Sequence, residues 1–182
     1  MIDLFLKGGF LMYPILICSF AGLAILINKF IQYGNILGEI ERPLDDLLKM
    51  KATPAVLTPI MDGIKNSCNE KELSLIGTRQ VRKIEKGLSW LSLIATIAPL
   101  LGLTGTVTGM IKAFMVIANS TSVSPSMLAG GIWEALITTA AGLLVAIPIH
   151  IGHHYLEKQA DEITFALKEI ATSLYLRCKN GI

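Results

Sequence analysis

No charged side chain occurs between Gly8 and Asn28, none between Gly87 and Ile111, none between Ala113 and Trp133, and none between Ala135 and Ile149. A run of about 20 uncharged, mostly apolar residues reaches across roughly 30 Å of hydrocarbon when it is helical. The chain as a whole is 16% charged over its 182 residues, where soluble domains carry about 25%. The deficit is local, because charges crowd Glu39–Lys86 and Glu157–Lys179. Apolar spans alternating with wet segments point to an all-α membrane protein with three transmembrane helices.

The first span is predicted over 10–31, after a short N-terminus (1–9), and leads into a charged helical loop (32–88). In that loop Pro43, Pro54 and Pro59 should divide the chain into short helices, with Leu44, Leu47 and Leu48 on one face of the first. Val81, Ile84, Leu88, Leu91 and Ala95 then recur every three or four residues, which predicts one long helix entering the second span, 89–117. A polar turn from Asn119 to Pro125 lies within the connection 118–127, and the third span follows at 128–152. Leu156, Ala160, Ile163, Leu167, Ile170 and Leu174 extend the same periodicity through the tail, 153–182. The second and third helices should therefore continue beyond the bilayer.

Nine Lys and Arg residues fall in 35–86 and four after 152, against Lys7 alone in the N-terminal nine and none in 118–127. The positive-inside rule places the large loop and the tail in the cytoplasm and the N-terminus outside. Lys7 ahead of an apolar run resembles a signal peptide, but no small-x-small cleavage site precedes Asn28-Lys29, so the run reads as a retained span. Cys18, Cys68 and Cys178 suggest no disulfide framework, and a net charge of +2 suggests no nucleic-acid surface.

Glu134 is the one acidic residue inside a span. A carboxylate there costs roughly 2.5–3.5 kcal/mol at the membrane centre, so it is either functional or close enough to the outer end to reach the interface. Thr106 and Thr139 are each predicted about 16–18 Å from the outer ends of their helices, at one depth near the bilayer centre. Each shares a stripe of small residues: Gly102, Thr106, Gly109 and Ala113 on one helix, Ala135, Thr139, Gly142 and Ala146 on the other. Such stripes, together with Gly105, allow close helix packing, and the hydroxyls could serve packing or present a polar group to water. Pro99 and Pro148 should kink their helices. Lys112 can snorkel. His150, His153 and His154 have ligand-like spacing but sit at a helix end, where interfacial roles are commoner, so no metal or other cofactor is expected. No acid pair, nucleophile elbow or phosphate loop is present, which argues against an enzyme.

The stretch Ala98-Pro99-Leu100-Leu101-Gly102-Leu103-Thr104-Gly105-Thr106-Val107-Thr108-Gly109 and its continuation to Phe114 resembles the second-span signature of the MotA/TolQ/ExbB proton-channel family. Gly131-Ile132-Trp133-Glu134-Ala135-Leu136 and Gly142-Leu143-Leu144-Val145-Ala146-Ile147-Pro148 resemble its third-span signature, most closely in short ExbB or TolQ proteins. The resemblance implies a pentameric ring in a bacterial inner membrane, its second and third helices lining a pore. That pore would hold a single-span ExbD- or TolR-like partner carrying a membrane Asp. Thr106, Thr139 and Glu134 match the family's pore positions, and the output would be proton-driven force on a TonB- or TolA-like protein. Asn28-Lys29 departs from the Glu-Arg of many members. The alternative function is a non-conducting scaffold for a membrane complex.

Overall fold

The computed structural model describes residues 8–40, 56–67, 70–120 and 124–180. Among them every regular element is an α-helix: α1 (Met12–Ile40), α2 (Thr58–Ser67), α3 (Glu70–Glu85), α4 (Leu88–Ala118) and α5 (Pro125–Asn180). The helices α1, α4 and α5 each contain a stretch long and apolar enough to cross a membrane. The readings placed on Pro43, Pro54, Leu44, Leu47, Leu48 and Cys68 fall outside the described residues.

Three prolines sit where helices start, Pro14 in the first turn of α1 being one of them. Pro59 lies in the first turn of α2 and Pro125 is the first residue of α5, positions whose N–H groups have no helical acceptor in any case. Pro99 and Pro148 lie within α4 and α5, which continue through them. Lacking N–H groups, they leave the carbonyls of Ala95 and Leu144 without their helical donor.

The expected unbroken helix through Val81–Ala95 is interrupted. The helix α3 ends at Glu85, and Gly87 takes φ 106°, a conformation open to glycine and strained for other residues, before α4 begins. The apolar stripe runs straight through this break, since Ile84, Leu88, Leu91 and Ala95 are all buried. The expected tail helix is uninterrupted to Asn180, with Leu156, Ala160, Ile163, Leu167 and Leu174 buried and Ile170 half-buried.

The chain divides into two compact units. One comprises Met1–Leu26 and Ser89–His153, the other Ile27–Leu88 and His154–Ile182. In the first, small residues face inward while Leu100, Leu103, Val107, Phe114, Leu136, Leu144 and Ile147 point outward, all strongly exposed. A soluble protein hides its large apolar side chains; packing through small ones while presenting the large ones outward is how helices associate in lipid. This is a multi-pass membrane protein. In the second unit, Tyr33, Ile36, Ile60, Leu73, Ile84, Leu156, Ile163 and Leu167 form a core of bulkier side chains.

Candidate functional site

The site is built on the antiparallel pairing of α4 and α5. Residue numbers on one helix rise as those facing them fall: Gly142 lies against Ala98 and Gly102, Gly102 against Thr138 and Thr139, Gly105 against Thr138, and Gly109 against Gly131 and Ala135. A Cβ at Gly142 would lie 2.6 Å from the Ala98 carbonyl oxygen, and one at Gly109 would lie 2.8 Å from the Gly131 carbonyl oxygen. The two backbones therefore touch, and glycine is what permits it. The predicted stripes are largely those of the seam, with Gly102, Gly109, Ala113, Ala135, Gly142 and Ala146 all buried. Gly105, expected to pack with them, is buried there too, and the structure adds Ala98, Gly131 and Thr138.

Within this seam the three relevant threonines differ. The Thr139 hydroxyl donates across it to the Gly102 carbonyl at 2.8 Å. Thr138, 1% exposed, donates to the carbonyls of Glu134 and Ala135 in its own helix and fills the space left by Gly105. Thr106 is half-buried and donates to the Leu103 carbonyl at 2.6 Å. The pairing also corrects the predicted depths. Thr139 is level with Gly102, so Thr106 sits one turn, about 6 Å, further along α4.

Glu134 is not free. Its carboxylate forms an ion pair with the Lys112 ammonium across the two helices, the side chains being 23% and 58% exposed respectively. Pairing offsets much of the cost of an acid in a span. The N-terminal turn closes over the pair. Gly9, with φ 68°, passes so near the carboxylate that a Cβ there would collide with it. Beneath this turn lies a cavity of about 260 Å³, lined by Gly8, Phe10, Leu11, Thr104, Gly105, Thr108, Lys112, Glu134 and Thr138. Thr104, Thr108 and Lys112 recur every four residues on α4 and so share one face, about 200° around the helix from Thr106 when Thr104 is taken as reference. Glu134 thus joins Lys112, Thr108 and Thr138, and the structure does not bring it into a single cluster with Thr106. A lysine read as snorkelling gave no sign of its partner, because the pairing depends on which faces of two helices meet.

Lys29, part of the Asn28-Lys29 departure, lies within α1 and has a defined place in the second unit. Its ammonium donates to the Ile84 carbonyl at 2.9 Å and to Gln32 Oε1 at 3.0 Å, lying 5.2 Å from the Tyr33 ring centre. The fully buried Tyr33 hydroxyl donates to the same Ile84 carbonyl at 2.6 Å. That oxygen stands in the last turn of α3, just before the Gly87 break, where helical donors run out. A cation there also meets the negative end of the helix dipole. Among the histidines, His154 lies 3.8 Å from the Glu157 carboxylate on its own helix.

Residues 39–169 match the model of the MotA/TolQ/ExbB proton channel family. The chain is 47% identical over 83 residues to the biopolymer transport protein exbB1 of Vibrio cholerae, an alignment covering 45% of this chain and 36% of that protein. It is 31% identical over 171 residues to the putative biopolymer transport protein ExbB-like 1 of Synechocystis, covering 81% and 66%. It is also 34% identical over 93 residues to the Tol-Pal system protein TolQ of Haemophilus influenzae, covering 51% and 41%. The chain spans less than half the length of the Vibrio and Haemophilus relatives. With the family model matched over most of its length, and with the seam and the Lys112–Glu134 pair inside that match, this chain belongs to the MotA/TolQ/ExbB proton channel family.

Proposed function

We propose that the chain is the ExbB/TolQ-like subunit of a proton-driven motor in a bacterial inner membrane, its N-terminus outside and its C-terminus in the cytoplasm. Copies of it, five by family resemblance, surround the span of an ExbD- or TolR-like partner. Proton entry from outside rotates or gates that partner, and the force reaches a TonB- or TolA-like protein. The observation that carries this reading is the α4–α5 seam: two backbones in contact, with Thr139 bonded across them and Thr106 at the edge one turn away. The hydroxyl oxygens of the seam retain lone pairs that can receive a hydrogen bond. The chain places no acid level with Thr139 on either helix, so the proton-carrying carboxylate belongs to the partner.

One observation favours a second reading, that of a non-conducting scaffold. Both Thr106 and Thr139 donate to backbone carbonyls within this chain, which is what packing threonines do. Valine is nearly isosteric and separates the two. In Thr106→Val, Thr139→Val and the double variant, envelope complementation should fall sharply while ring assembly persists. Membrane hydrogen bonds average only about 0.6 kcal/mol, so stability alone would not account for such a loss. Full activity in the assembled double variant refutes the pore role.

A further inference from the structure

The cavity beneath Gly8–Leu11 faces away from Thr106 and is walled in an unusual way for a membrane protein. Three threonines line it, and each has already committed its proton. Thr104 donates to the Leu100 carbonyl at 2.8 Å, Thr108 to those of Thr104 and Gly105 at 3.0 and 3.1 Å, and Thr138 to those of Glu134 and Ala135 at 3.0 and 2.9 Å. What the hydroxyls offer a guest is therefore lone pairs. The Glu134 carboxylate adds further acceptors, and Lys112 is the one charged donor, already directed at Glu134. A guest that suits these walls brings its own donors, as water and hydronium do and an acyl chain does not. The volume of about 260 Å³ holds on the order of nine waters at roughly 30 Å³ each.

We propose that this cavity is a water-filled antechamber inside each subunit, separate from the face that carries Thr106, through which water and hydrated protons reach the Glu134 carboxylate. The inference rests on the proton-channel reading and adds a compartment to it. Lys112 holds the carboxylate at the cavity's edge, and the Gly9 turn forms the roof, its left-handed backbone allowing the chain to lie directly on the carboxylate.

The test uses the full chain in its native membrane, with Cys18, Cys68 and Cys178 replaced by Ser. Thr104→Cys and Thr108→Cys report the cavity, while Leu103→Cys and Val107→Cys report the neighbouring apolar face of α4. A small charged methanethiosulfonate reacts with thiolate, which forms in water and not in hydrocarbon. The cavity cysteines should label at least about tenfold faster than the apolar pair, and labelling of either should abolish proton-driven work that was measurable beforehand. Equally slow labelling at all four sites overturns the antechamber, because the space is then dry. Fast labelling that leaves the work intact also overturns it, because the water then lies off the route. Labelling rates need no proton flow, so a failure of the channel reading itself shows separately, as absent work in the unlabelled parent chain.

Discussion

Substitution of Gly142 by alanine is a direct measure of how closely α4 and α5 approach. The added Cβ would fall 2.6 Å from the Ala98 carbonyl oxygen and 3.2 Å from the Gly102 Cα, both of them backbone atoms that no rotamer change can move. Relief requires the helices to part, which overpacking series place at about 1–3 kcal/mol. Parting also stretches the Thr139–Gly102 bond, about 0.6 kcal/mol in membranes. Against this stands the higher helix propensity of alanine, about 1 kcal/mol. The net loss comes to about 0.6–2.6 kcal/mol. Gly130 lies on the same helix with nothing within 4 Å of a Cβ, so Gly130→Ala gains the propensity alone. The two variants should therefore differ by roughly 1.6–3.6 kcal/mol in reversible unfolding measured in bicelles, for example by steric trapping. If Gly142→Ala proves as stable as Gly130→Ala, the backbones do not touch there and the seam has been misread.

Three further outcomes are expected. Tyr33→Phe should cost about 1 kcal/mol because Lys29 still serves the Ile84 carbonyl, whereas Tyr33→Phe with Lys29→Met should cost more than the two single losses combined; additive losses in a double-mutant cycle refute the shared acceptor. Ile163→Pro, placed in the buried stripe of α5, should cost about 3 kcal/mol or more and abolish assembly on native gels; normal assembly would show that the tail helix is dispensable. In a chain freed of native cysteines, Ser124→Cys should react with an impermeant maleimide in sealed cells and Thr172→Cys only after permeabilisation, with the reverse pattern inverting the topology.

The sequence made the spans legible because hydrocarbon tolerates so few charges, and the tail helix because Leu156 to Leu174 never break step. Gly102, Gly109 and Gly142 were legible as packing residues for the same periodic reason. What periodicity could not supply was the register between helices. Equal spacing from the helix ends put Thr106 and Thr139 at one depth, whereas the glycine contacts shift them apart by a turn. Lys112 and Glu134 are 22 residues apart and pair through that same register, so neither residue announced the other. Thr138 sits beside the more conspicuous Thr139 and was passed over, although it is the more deeply buried of the two. The break at Gly87 was hidden by an apolar stripe that passes through it without a gap.

The fit of Thr138 into the space above Gly105 also bears on how this seam can change over time. The two positions share a single volume, so bulk gained on α4 has to be surrendered on α5. Gly105→Ala alone meets the Thr138 side chain, yet the same change accompanied by Thr138→Gly returns the lost room to the interface. A chain carrying Gly105→Ala alone should pack this seam less well than one carrying both changes. The seam can exchange its bulk from one helix to the other, but it cannot accumulate bulk one residue at a time.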